Sequence, residues 1–196
     1  VLWDEVVADV AKEFPHVELK KYHVDALCAR MVTHPHTLDV IVASNLFGDI
    51  LTDIGSAISG SLGVAPGGNI NPERTTPSMF EPIHGSAPDI AGKGVANPIA
   101  MIASFGMALR YSFNLGKQAD QIDQAIANTL ARGLRTADIK SDGAKVVSTV
   151  ESSEIATKTR ARTAVTPSLP LWKLATNPVI WETISPTDRS PFMSGR

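Results

Sequence analysis

Cysteine is almost missing from this chain: Cys28 is the only one in 196 residues, so an internal disulfide is excluded. A lone cysteine fits a reducing compartment and reads as a small buried apolar side chain. Aromatic residues make up only 6% of the chain, and lysine and arginine never form a run. Neither a stacking platform nor a basic face is therefore present, and a net charge of −2 points to no nucleic-acid partner. No apolar run reaches the ~20 residues that a membrane-spanning helix needs. The longest candidate, Val95–Leu109, is interrupted by Asn97, Pro98 and Gly106 and reads as a buried core helix. No basic-plus-apolar leader opens the chain, so a cytoplasmic protein without a membrane partner is expected. There is no internal repeat and no GxGxxG fingerprint, which removes any motif-based argument for a Rossmann turn.

What the chain does have is 43% hydrophobic residues, enough for one sizeable domain or parts of two. The spacing Leu2, Val6, Val7, Val10, Phe14 predicts an amphipathic helix ended by Pro15. Val17–Val24 and the β-branched run Asp39–Ala43 (DVIVA) read as strands. Asp25–Val32 reads as a second helix, closed at Pro35. Leu46, Ile50, Ile54 and Ile58 then recur every four residues, which marks a helix within Ser44–Gly68. Gly60–Pro82 is too rich in Gly, Pro and Asn for a regular element, and Gly85–Gly94 is a second loop. Pro98–Leu115 and Gln118–Leu134 are helical. Strands alternating with helices indicate an α/β fold.

Asp49 and Asp53 are four residues apart on the third predicted helix and so project from one face, about a turn apart. Two carboxylates that close repel unless a positive charge sits between them, and a hard divalent cation prefers such oxygen ligands. A solvated acidic face has the same spacing. The surrounding string narrows the choice. NLFGDILTD, a Gly-rich turn, APGGNINPE and then SMFEPIHGSAPDIAGKGVANP (Ser78–Pro98) resemble the decarboxylating hydroxyacid dehydrogenases, the family of the isocitrate, 3-isopropylmalate, tartrate and D-malate enzymes. The resemblance runs from Val1 to about Thr149.

That resemblance implies an isopropylmalate-dehydrogenase-like three-layer α/β fold, truncated at its N-terminal half, over residues 1–150. It implies Mg²⁺ or Mn²⁺ held by Asp49 and Asp53, with Asp25 of a partner subunit as third ligand. Asp25 could alternatively cap its helix. A homodimer with shared active sites follows, its interface formed by the helices of Ala26–Thr33 and Leu46–Ser59. It implies NAD on the Gly- and Pro-punctuated loop: His84 and Asn97 near the adenine, Gly85, Ser86 and Ala87 lining the loop, Asp89 on the adenosine ribose and Glu81 towards the nicotinamide. A carboxylate at Asp89 repels a 2′-phosphate, so NAD is preferred to NADP.

The reaction so implied is metal-assisted oxidation of a 2-hydroxy dicarboxylic acid followed by loss of CO₂. Motif spacing is most similar to the tartrate/D-malate branch, with 3-isopropylmalate the alternative. The family's catalytic tyrosine and lysine and its substrate-clamping arginines lie upstream of the region matched by Val1. No residue here can be given those roles, and the 196 residues read as an incomplete enzyme. A non-catalytic remnant that dimerises or binds nucleotide is the other class of reading. A metal phosphohydrolase is weaker, because no nucleophile or phosphate loop accompanies the aspartates. Residues 151–196 carry Thr/Ser/Pro clusters and read as a non-family tail, irregular or disordered.

Overall fold

The computed structural model describes residues 2–159, with side chains to residue 154, and the chain divides after Ile58 into two compact units. The expectation for the tail falls, beyond residue 159, outside the described residues. Among the described residues no helix is long and apolar enough to cross a membrane.

The first unit holds helices α1 (Leu2–Ala11), α2 (Val24–Thr33) and α3 (Asn45–Ile58). Helix α1 stops short of Phe14: the amides of Lys12, Glu13 and Phe14 bond three residues back, which tightens the chain out of the helix before Pro15. None of its residues is buried. Its apolar face, with Val17, Leu19 and Val42, lines an open apolar groove.

Two expected strands do not form. Val17–Val24 is irregular until α2 begins, and Asp39–Ala43 starts in a bend and forms no ladder, with Val40 87% and Val42 72% exposed. A strand exists through its hydrogen-bonded neighbour, and the described residues of this unit supply none. The α3 periodicity is also used differently than expected. The buried positions are Leu51 and Ser56, and Gly55 lies where an added Cβ would touch Met31 of α2 at 3.5 Å. Leu46 and Ile50 of the predicted stripe stay exposed.

The second unit is built on α4 (Ile99–Tyr111) and α5 (Gly116–Ala131), which pack around Leu109, Ala119 and Ile122, flanked by Ile102, Phe105 and Ile126. At Gly106 the two helices face each other, and a Cβ there would meet Ile122 Cγ2 at 3.5 Å, an ordinary contact. Against α4 lies an antiparallel pair, β1 (Pro66–Asn69) and β2 (Met79–Pro82), with Gly67 opposite Glu81. This pair falls inside the stretch expected to be irregular. A strand reading PGGN has the composition strands avoid, and it forms because its lack of side chains admits close neighbours. A Cβ on Gly68 would stand 2.9 Å from Phe80 Cδ1. A second, parallel pair joins β3 (Leu134–Arg135) to β4 (Lys145–Val146), so Leu134 belongs to a strand and not to the end of α5. Helix α6 (Thr149–Thr159) runs into the stretch 151–196 that was expected to be irregular or disordered.

Candidate functional site

Helix α3 carries Asp49 and Asp53 on consecutive turns, both exposed. Neither is buried against hydrocarbon, and among the described residues neither is bridged to a basic side chain. The helix places them there because Leu51 and Ser56 turn inward, leaving the Asp positions on the wet side. Asp25 lies in the first turn of α2, exposed, where a negative charge suits the helix N-terminus. It does not cap the helix: the N-cap position is His23, and Asp25 Oδ1 accepts from the amide of Ala26 at 2.8 Å. Among the described residues of one chain no three His, Cys, Asp or Glu side chains converge into a metal cluster. An oxygen-only donor pair in water suits a hard divalent cation, and the residues present fit one as part of a larger ligand set.

The predicted nucleotide residues all lie in the second unit. Glu81 is exposed on β2. His84, half-buried, directs Nδ1 to the carbonyl oxygen of Gly85 at 3.0 Å; as donor there, the neutral ring leaves Nε2 free to accept. Residues 85–96 form an exposed loop, and a Cβ on Gly85 would meet nothing within 4 Å. Ala87 sits at φ 45°, in the left-handed region, and leads into a short 3₁₀ turn, Pro88–Ile90, that holds Asp89 outward. This arrangement offers open backbone amides beside one exposed carboxylate, which fits a ligand bearing vicinal hydroxyls.

Asn97 behaves differently. It is buried, and its side chain works inside the protein: Oδ1 accepts from the amide of Ile99 at 3.0 Å, and Nδ2 donates to Asp138 Oδ2 at 3.0 Å. Asp138 also accepts from the Ser61 hydroxyl, whose oxygen in turn accepts from the amide of Gly63 at 2.9 Å. Burial pushes the Asp138 carboxyl up, but hydrogen bonds from Ser61 and Asn97 outweigh it and hold the group below its ordinary value. The Thr136 hydroxyl is buried and makes no hydrogen bond among the described residues. The same end of the loop is tied to α6, where Thr149 donates from its amide to Gly94 O at 2.9 Å and from its hydroxyl to Ala96 O at 2.5 Å. Ser61, Asp138 and Thr149 escaped the reading of the sequence, since no local pattern connects residues 77, 41 and 53 positions apart.

Residues 1–156 match the family described as isocitrate/isopropylmalate dehydrogenase. The chain is 54% identical over 159 residues to the 3-isopropylmalate dehydrogenase of Rhodopseudomonas palustris strain HaA2, an overlap of 79% of this chain and 43% of that protein. It is 53% identical over 163 residues to the 3-isopropylmalate dehydrogenase of Nitrobacter winogradskyi, covering 81% of this chain and 44% of the relative. Among solved structures, the isocitrate dehydrogenase of Methylococcus capsulatus is similar with a TM-score of 0.74 at 38% identity, over 79% of this chain and 44% of that one. The chain thus spans less than half the length of these relatives.

Proposed function

Because the chain belongs to the isocitrate/isopropylmalate dehydrogenase family and shares its fold, we propose that it is part of an NAD- and divalent-metal-dependent dehydrogenase that oxidatively decarboxylates a 2-hydroxy dicarboxylic acid of the 3-isopropylmalate type. The relatives carry the isopropylmalate name at 49–54% identity, and this favours that branch over the tartrate/D-malate branch that motif spacing suggested. When bound, NAD takes the hydride and the cation, Mg²⁺ or Mn²⁺, acts as a Lewis acid on the substrate oxygens.

The observation that carries the reading is the placement of Asp49 and Asp53: two exposed carboxylates on consecutive turns of α3, inside the matched region. They hold the cation and leave coordination positions open to substrate hydroxyl and carboxylate. Asp25 completes the set from a second copy of the chain, from its exposed place in the first turn of α2. The exposed Val32 of α2 and Leu46, Phe47 and Ile50 of α3 supply apolar surface for that two-fold contact. In the second unit, the loop around Gly85–Ala87 meets the adenosine half of the dinucleotide through backbone amides. His84 stands at its edge, Glu81 lies toward the nicotinamide, and Asp89 accepts from the ribose hydroxyls. A 2′-phosphate would be repelled by Asp89, so NAD is bound in preference to NADP.

Calorimetric titration of the 196-residue chain with NAD⁺ and with Mn²⁺ tests the reading. Saturable binding of both, with NADP⁺ bound more weakly than NAD⁺, is the expected result. Absence of NAD⁺ binding would overturn the nucleotide assignment, and absence of Mn²⁺ binding by a dimeric sample would overturn the metal assignment.

A further inference from the structure

Most of the nucleotide loop is exposed, yet one end of it is held by the buried Asn97, whose side chain is tied to the exposed carboxylate of Asp138. Loop residues 85–96 are exposed, and their downstream end is fixed by Thr149, which donates to Gly94 O and Ala96 O, and by the residue that follows. At the downstream end stands Asn97, 8% exposed, which spans from the start of α4 to Asp138. Asp138 Oδ2 takes hydrogen bonds from both Asn97 and the Ser61 hydroxyl, so one carboxylate oxygen joins the segment before β1, the end of the loop and the turn after β3.

The packing is equally tight. Gly63, in the turn that Ser61 caps, approaches so closely that a Cβ would lie 2.7 Å from Asn97 Cβ and 3.0 Å from Asp138 Oδ2. Three separate segments therefore meet at one point, with no room to shift against one another.

We propose that Asp138 is a positioning residue of the nucleotide site: with Ser61 it locks Asn97, and through Asn97 the exit of the 85–96 loop, in the shape that receives the adenosine half of the dinucleotide. The role rests on the NAD reading above. The carboxylate acts through a neighbour and is distinct from Asp89, which faces solvent on the loop itself. Its chemistry is specific. A carboxylate accepts two charge-assisted bonds on one oxygen, whereas an amide in its place keeps an acceptor but loses the charge, and an alanine keeps neither. Preorganisation of this kind appears in ligand affinity because a loop ordered before binding pays less on binding.

The test measures NAD⁺ and Mn²⁺ affinity by calorimetry, with thermal melting in parallel, on the 196-residue chain and its Asp138→Ala, Asp138→Asn and Ser61→Ala variants. The expected result is that Asp138→Ala weakens NAD⁺ binding about tenfold, the scale of one charged hydrogen bond. Asp138→Asn should restore most of that affinity, and Mn²⁺ affinity should be unchanged in every variant. If wild type and Asp138→Ala bind NAD⁺ equally, the positioning role is overturned while the cofactor reading stands. If wild type itself binds no NAD⁺, both fall. A uniform loss of NAD⁺ and Mn²⁺ affinity with a lowered melting temperature assigns Asp138 to general stability and also overturns the proposal. Should Asp138→Ala fail to fold, Ser61→Ala decides the matter: it removes one of the two bonds and leaves the Asn97 contact, so weaker NAD⁺ binding supports the role and unchanged binding overturns it.

Discussion

Asn97 Nδ2 donates to Asp138 Oδ2 at 3.0 Å, joining the residue before α4 to the turn after β3 across 41 positions of sequence. The bond takes up a side chain that motif matching assigned to the adenine. On the proposal above, Asn97, whose carboxamide is bonded inside the protein, anchors the loop that meets the nucleotide.

Asp138 makes stability depend on acid. Its folded-state value is depressed below the ordinary aspartate value of 3.8, so the stabilisation is fully present above that value and is lost as pH falls through the lower folded value. Urea midpoints followed from about pH 5 down to about pH 2 should fall more steeply for wild type than for Asp138→Asn. Equal slopes would mean that the carboxylate gains nothing on folding.

Removing one metal carboxylate should leave the second unit untouched. Asp53→Asn is expected to weaken Mn²⁺ binding by about tenfold or more, since a neutral amide oxygen is a poorer ligand for a hard cation. The exposed position predicts an unchanged melting temperature in the absence of metal. Mn²⁺ titration followed by electron paramagnetic resonance reads the first quantity and calorimetric melting the second.

Leu109 is 6% exposed and packs in the cluster with Ala119 and Ile122 where α4 meets α5. Leu109→Ala leaves a cavity there and should cost about 2–5 kcal/mol of stability. Chemical denaturation followed by circular dichroism measures it. A loss below about 1 kcal/mol would show that the interface relaxes around the gap.

Gly63→Ala places a methyl group 2.7 Å from Asn97 Cβ, a backbone-attached atom with no flexible end to yield. The overpacking should cost about 1–3 kcal/mol, read as a lower urea midpoint. Gly60 has open space where its Cβ would stand, but its φ of +114° disfavours any side chain. Gly48 has the space without that strain, so Gly48→Ala in the first turn of α3 is the fitting control and should be neutral or stabilising.

The helices were legible because their information is local. Apolar residues at helical spacing predicted α2 within a residue at each end, and α3, α4 and α5 within a few. Strands were not legible in the same way. DVIVA has strand composition and no ladder, whereas PGGN has turn composition and pairs with MFEP in full register. In both cases the deciding factor was a neighbour, which composition does not encode. The shared, exposed helix face of Asp49 and Asp53 was legible from their spacing. Asp138 had no signature, since an Asp two residues after a Thr in RTADI reads as an ordinary turn former.

Residue order by itself determined the family, the helical faces and the shared side of Asp49 and Asp53, because a helix repeats within four residues and a motif of twenty carries its own identity. Only the tertiary structure decided which extended segments became strands, which side of α3 was buried, and that Asn97 would face Asp138. Ladder bonds, packing and side-chain hydrogen bonds such as Asn97–Asp138 are long-range interactions, and their partners are chosen by how the chain closes in space.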